Sequence, residues 1–266
     1  MLSSRALLVP HLPTLLMDEH RGHKTPMLEA LRREAERWVE ERPGVVVVLS
    51  ARWSSRGPFQ VDIGRRHRTL TDYMGFGVEV RYDCPGHPAL ARALVEAGGR
   101  ADVRVGPSQR GVDSGVTVPL HFLLPRKDVP VVPLSLAGRP AVECRAWGAV
   151  IRKVCAARPE RIALVVSGLL SNDSHAWSFR RDVPEARAFD EHALEALGLG
   201  AWDRLAPADA QVVERAHPEA ELRHLEVLRG FLGSDVPGQV LCYESAPGLG
   251  AALVAFETAE VDAPQA

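Results

Sequence analysis

His11 and Glu244 are the residues of this chain whose type and setting best suit metal chemistry. His11 stands at the end of the first apolar run, between Pro10 and Pro13. Glu244 ends the apolar run Val240-Leu241-Cys242-Tyr243. A carboxylate there is either paired or a ligand, because an isolated charge is costly to bury. One histidine and one carboxylate make two thirds of the facial set that holds non-heme Fe(II). A second candidate chemistry is nucleophilic. Gly111-Val112-Asp113-Ser114-Gly115 has the look of a nucleophile elbow, but Ser114 is off-centre where G-x-S-x-G needs it central. The pairs Gly75-Phe76-Gly77 and Gly248-Leu249-Gly250 lack the third glycine and the strand-to-helix setting of a phosphate loop. Among the remaining histidines there is no H-E-x-x-H. His20 and His23 read as solvated loop residues, and His67, His192, His217 and His224 sit among charges and read as exposed. His121 follows Pro119-Leu120 in an apolar stretch and reads as a core histidine.

These residues need a scaffold, and the hydrophobic pattern supplies one. Arg5–Val9 reads as a short strand. Thr25 is an N-cap with Pro26 at the first helical position, and the helix runs to about Arg42 before Pro43-Gly44. Val45-Val46-Val47-Val48-Leu49 is a run of a strand buried on both faces. The alternation continues with a helix over Pro88–Ala97 closed by Gly98-Gly99, a strand over Val131–Leu136, a helix over Pro140–Ala157 and a strand over Ile162–Ser167. Helices over Ala186–Leu197 and Pro218–Leu232 follow. Strands Gln239–Tyr243 and Ala251–Phe256, joined by Pro247-Gly248, close the chain. This predicts a single α/β domain over 1–258, with a mixed, mostly parallel sheet covered by helices on both faces and a frayed tail over 259–266. In such sheets ligands bind beyond the carboxyl ends of the strands. The loops to watch are therefore 10–13, 50–53, 113–115 and 167–175, together with the Tyr243-Glu244 strand end.

Composition bounds the partners. The 266 residues carry a formal net charge of -2, with 46% hydrophobic and 25% charged residues. That is ordinary globular composition without the basic excess that nucleic acid demands. The four cysteines, Cys84, Cys144, Cys155 and Cys242, form no C-x-x-C pair and read as reduced thiols. No run approaches the roughly 18 apolar residues of a membrane span, and the first residues lack a signal-peptide core. The expected compartment is the cytoplasm.

Several segments, in order, carry a family resemblance from Val9 to Phe256. They are Val9-Pro10-His11-Leu12-Pro13, the strand from Val45 ending in Ser50-Ala51-Arg52-Trp53, and Asp72-Tyr73-Met74-Gly75-Phe76. Gly111 to Leu124 follows, then Pro130 to Leu136, Ser167 to Ser171, and Cys242 to Gly250. Together they resemble the class III extradiol ring-cleavage dioxygenases, in their catalytic B-subunit-like form. The resemblance implies Fe(II) held by two histidines and a glutamate, a catechol-type substrate with O2, and a histidine that moves protons. By position, His11 and Glu244 would be metal ligands.

The departures from that pattern are as informative. Arg52 stands where the second histidine ligand is expected, and a guanidinium cannot coordinate a cation. Ser114 replaces the histidine of the Asp-His-Gly motif, and Asn172 that of the Leu-Ser-His turn. One expectation is that Arg52 fills the metal position and pairs with Glu244, leaving His11 and Glu244 as a vestigial metal site. The chain would then be a non-catalytic partner subunit or a small-molecule binder. The alternatives are an Fe(II) dioxygenase with a rearranged ligand set, with His175 or His121 substituting, and a metal-independent hydrolase using Ser114. In each case His175, Ser114 and Asn172 are the candidate catalytic positions. Arg52, Tyr73 and Phe76 would bind an aromatic or carboxylate-bearing ligand, and the default assembly is a homodimer or a pairing with a related catalytic subunit.

Overall fold

The computed structural model describes residues 1–70 and 73–258. Asp72 of the aromatic segment and the tail over 259–266 lie outside the described residues. The strands are β1 (Leu2–Val9), β2 (Val45–Ser55), β3 (Phe59–Asp62), β4 (Arg66–His67), β5 (Cys84–Pro85), β6 (Val105–Ser108), β7 (Val131–Ala137), β8 (Ile162–Ser167), β9 (Gly238–Ala246) and β10 (Leu249–Glu257). Among the described residues, eight of them form one sheet in the order β6-β3-β7-β2-β8-β1-β10-β9, and β4 pairs with β5 in a small ribbon. The centre β7-β2-β8-β1 is parallel, and β10 and β9 extend it antiparallel. The fold is thus the single α/β domain that the pattern predicts.

Alternate residues of each central strand enter opposite cores. Val45, Val47, Leu49, Leu164 and Val166 face one core with helices α3 (Pro88–Arg100), α5 (Ala141–Ala156), α7 (Pro184–Gly198) and α9 (Arg223–Leu232). Val46, Val48, Ala163 and Val165 face the other, under α1 (Thr14–His20), α2 (Pro26–Glu41) and α4 (Ser114–Leu123). The short helices α6 (Ser174–Ser178) and α8 (Ala210–Ala216) lie in the connections between β8 and α9. Thr25 caps α2 as expected, its hydroxyl accepting the Leu28 N–H at 3.2 Å. Among the described residues no helix is long and apolar enough to cross a membrane.

Some expectations needed correction. Helix α3 does not stop at Gly98-Gly99 but runs to Arg100. A Cβ on Gly98 would lie 2.2 Å from Val105 Cγ1, so this glycine serves the close approach of α3 to β6. The helix expected over Pro218–Leu232 begins only at Arg223. Before it, Ala220, Glu221 and Leu222 turn left-handed, with φ of 50°, 53° and 58°. Such residues cost roughly 1–2 kcal/mol each outside glycine. His67 and His224 are buried, not exposed: His67 bonds the Val131 carbonyl at 3.0 Å and pairs with Asp62 at 3.4 Å. His121 is no core histidine. It is partly exposed and pairs with Glu19 at 2.6 Å.

Candidate functional site

Three neighbouring strands bring the site together. β1 delivers His11 just past Val9, whose partner across the pair is Ser167 at the end of β8. From Ser167 the chain turns through Gly168 and Leu169 to Asn172. The segment before α9 is fastened to this turn by backbone bonds: the Asn172 N–H donates to the His217 carbonyl and the Glu219 N–H to the Leu170 carbonyl, both at 2.9 Å. The left-handed turn then aims Glu219 at His11. The His11 Nε2–H donates to both Glu219 oxygens, each 3.0 Å away. The Leu169 N–H donates to Oε2 and the Asn172 side-chain amide to Oε1 at 2.8 Å. Both partners are buried, His11 at 3% exposure and Glu219 at 6%. Burial pushes the Glu219 carboxyl up, but the charge and hydrogen bond of His11, with the neighbouring donors, outweigh it and hold it at about 2. The carboxylate is therefore ionised. Two ionised oxygens facing an imidazole nitrogen call for a hydrogen on that nitrogen.

His224, on the first turn of α9, packs its ring against Gly168, where any Cβ would lie 2.5 Å from Cδ2. It is fully buried, its ring against the backbone of Leu169 and Glu219. Burial, only partly offset by the charge of Glu219, lowers its pKa to about 4 and keeps it neutral at ordinary pH. The Ser167 hydroxyl, at the end of β8, is buried with no hydrogen-bond partner among the described residues.

Beside this cluster, at the end of β2, Asp113 caps α4. Its Oδ1 accepts from the Ser50 hydroxyl at 2.9 Å and from the Gly115 N–H at 3.0 Å. Its Oδ2 accepts from Arg110 at 2.9 Å, and that guanidinium sits 5.3 Å from the centre of the Trp53 ring. Ser114 heads the helix, with no histidine hydrogen-bonded to it among the described residues, so the hydrolase arrangement lacks a base.

The structure brings His11 and Asn172 together and leaves the other anticipated residues apart. Arg52 lies in a register shift of β2 between Ser50 and Ser54, a bulge that turns Trp53 inward and leaves Arg52 exposed. Glu244 lies on β9, four strands from β2 in the sheet order, or about 19 Å at the usual strand spacing. Its carboxylate instead accepts the Met27 N–H at 2.8 Å, at the positive end of α2. The expected Arg52–Glu244 pair therefore does not form. His175 is exposed on α6, its ring 4.6 Å from that of Phe179. Tyr73 is buried in the core beneath α2 and α4, and Phe76 is half-buried against the same core.

Sequence reasoning missed Glu219 and His224. Both sit in a charged stretch that reads as a solvated helix face, and only the left-handed turn and the packing of α9 bury them. The signal on the page was Gly168, a glycine directly after a buried strand, which marks close approach of another group. Fe(II), as the resemblance implies it, needs donors converging on His11. Arg52 offers none, Glu244 caps a helix elsewhere, and the His11 nitrogen is engaged by Glu219. Among the described residues, no group of three or more His, Cys, Asp or Glu side chains could hold a metal ion. The residues present do not fit the ion.

The chain matches, over residues 5–254, the family described as the catalytic LigB subunit of aromatic ring-opening dioxygenase. It is 34% identical over 159 residues to the 4,5-DOPA dioxygenase extradiol of Escherichia coli K12, covering 57% of this chain and 57% of that protein. Dioxygenase tasH of Hapsidospora irregularis is 34% identical over 157 residues, covering 56% of this chain and 45% of that protein. These two matches span about half the length of each relative. The 4,5-DOPA dioxygenase extradiol of Beta vulgaris is 26% identical over 240 residues, covering 83% of this chain and 88% of that protein. In fold, the chain resembles the crystal structure of an uncharacterized protein from Escherichia coli K12, with a TM-score of 0.71, 22% identity, and coverage of 95% of this chain and 99% of that one. With the match running from the first strand into the last, the chain belongs to the LigB family of aromatic ring-opening dioxygenases, the class III extradiol enzymes.

Proposed function

We propose that this chain is an extradiol-family protein that does not cleave rings and keeps its strand-end pocket for binding a small aromatic or carboxylate-bearing molecule. The observation that carries this reading is the His11–Glu219 pair. The histidine nitrogen that a metal would use is held, inside the protein, by a carboxylate saturated with donors. The replacements at Arg52, Ser114 and Asn172 support it, since none of the three side chains can ligate iron as an imidazole does or relay a proton near neutral pH. Such a protein can act alone or as the companion of an active relative. Arg52 is exposed near the end of β2 and offers a fork for a ligand carboxylate.

The test is anaerobic reconstitution with Fe(II) followed by metal analysis and oxygen uptake with a catechol. The reading expects neither stoichiometric iron nor catechol-dependent uptake. It also expects calorimetric binding of an aromatic carboxylate that weakens in Arg52→Ala. One iron per chain together with catechol-dependent uptake would replace this reading with a second one, an active dioxygenase with a rearranged ligand set. A single observation favours that alternative: the buried His224 imidazole lies close enough to Glu219 to feel its charge.

A further inference from the structure

We propose that the outer edge of β9 is an interface on which a second copy of this chain docks, the two β9 strands pairing antiparallel across a two-fold axis. The backbone bonds of the last two strands carry the argument. The Gly250 N–H donates to the Ser171 carbonyl, the Gly250 carbonyl accepts from the Leu170 N–H, and the Thr258 N–H donates to the Ser4 carbonyl. The even-numbered residues of β10 thus turn their backbone groups away from β9, and the odd-numbered ones turn theirs toward it. The partners of Leu249, Ala251, Leu253 and Ala255 on β9 are Ala246, Glu244, Cys242 and Gln239. Ser245 and Val240 lie between these and point amide and carbonyl outward, where no strand pairs with them among the described residues. The Tyr243 carbonyl points the same way, while its amide meets the Cys242 sulfur.

The faces of β9 are covered, and its edge is left open. Tyr243 reaches α7, its hydroxyl donating to Asp190 Oδ2 at 2.9 Å, and Glu244 reaches α2 through the Met27 N–H at 2.8 Å. Adjacent residues of a strand point to opposite faces, so one helix lies on each side and holds the strand in place. Sheets ordinarily blunt an open edge with a short strand, a proline or charged side chains. The far edge of this sheet does so: β6 has four residues and contains Pro107. β9 runs nine residues, Gly238–Ala246, without Pro, Lys or Arg, and its one charge, Glu244, is engaged by α2. Its bulge falls at Leu241, between Val240 and Cys242, and leaves the outward groups of Tyr243 and Ser245 in line.

What fits this edge is the same edge. Two copies of one strand related by a two-fold axis run antiparallel, so outward residues of one copy stand opposite outward residues of the other. With the axis at Tyr243, Val240 of each copy faces Ser245 of the other, and the two exchange amide and carbonyl. Apolar surface favours this occupant. Val240 is 40% exposed, and Leu199, at the end of α7, is 69% exposed. Both lie on the α7 side of the sheet. Val240 pairs with Val254, which belongs to the core under α7, and a Cβ on Gly198 would lie 4.0 Å from the Gly238 carbonyl at the start of β9. Docking removes Val240 from water in both copies at once. The net charge of -2 sets little repulsion against two chains meeting.

The experiment is sedimentation velocity of the full chain over about a hundredfold range of concentration, joined to amide hydrogen exchange. The chains compared are wild type, Val240→Lys, Ser245→Pro and the control Val142→Lys, each checked by circular dichroism. Val240→Lys sets a charge on the edge, and Ser245→Pro deletes one outward N–H, a change that an edge strand tolerates. Val142 is 63% exposed on α5 and reports on an added lysine away from the edge. Wild type and the control should sediment as two chains, and each edge variant should weaken the dimer by about tenfold or more. The Val240 and Ser245 amides should exchange more slowly in concentrated than in dilute wild type. A wild type that remains a single chain at the highest concentration overturns the proposal. So does a dimer that keeps its affinity in either folded edge variant, or one that the control also dissociates. Should neither edge variant fold, hydrogen exchange of the wild type decides. Protection of the two amides that rises with concentration supports the interface, and protection independent of concentration overturns it.

Discussion

Replacing Glu219 by glutamine removes one charge from the pocket without changing its shape, and the cost can be worked from the contacts. The wild-type carboxylate accepts from the His11 Nε2–H, the Leu169 N–H and the Asn172 amide in a site almost closed to water. Glutamine offers one oxygen for these donors, and its own NH2 then meets a donor head-on. Removing one partner of a buried pair costs about 3–5 kcal/mol, because the other is left uncompensated. For a chain of this size that is a fall in Tm of roughly 6–20 °C. Glu219→Gln and His11→Ala should each show such a loss in urea unfolding. The double variant should lose far less than the two losses combined, because the second change removes the group that the first left stranded. Single losses under about 1 kcal/mol, or a double variant whose loss is additive, would refute the buried pair.

Three further outcomes follow from particular residues. Burial pushes the Asp62 carboxyl up, but the hydrogen bond from His67 and the amides of Gly111 and Gly64 hold it at about 2. A depressed acid stabilises above its unfolded pKa, so the advantage of wild type over Asp62→Asn should be constant above pH 5 and shrink from about pH 4 to pH 2; a gap that widens in acid would contradict this. Ala220→Gly relieves one left-handed residue and should raise Tm by a few degrees, with the gain of about 1 kcal/mol limited by the extra freedom of glycine in the unfolded chain. A fall in Tm would show that the turn is not strained. Gly168→Ala puts a Cβ within 2.5 Å of the His224 ring and should cost about 1–3 kcal/mol in chemical denaturation; a neutral effect would mean that α9 shifts freely.

The sequence announced most of the scaffold because its strands are short apolar runs with sharp ends. Val45-Val46-Val47-Val48-Leu49 and Ile162–Ser167 appear where the pattern puts them, and Thr25-Pro26 starts its helix as capping chemistry dictates. The strand-end rule also pointed to the ends of β1 and β8, where the buried His11–Glu219–Asn172 cluster lies. What failed were readings that need tertiary context. Glu244 looked like a ligand because it follows an apolar strand, yet the start of α2 supplies its partner. Arg52 looked poised for the pocket, but the bulge in β2 turns it to solvent. Glu219 and His224 carried no local sign of burial, since a left-handed turn in Pro218–Leu222 breaks the helical period on which the sequence reading relied.

The most direct test of the central claim is long-range 1H–15N NMR of the His11 imidazole in the wild-type chain, recorded with and without excess Zn(II). The account predicts a protonated, hydrogen-bonded Nε2 that metal leaves unchanged. An unprotonated Nε2, or one whose signal shifts on adding the ion, would contradict it.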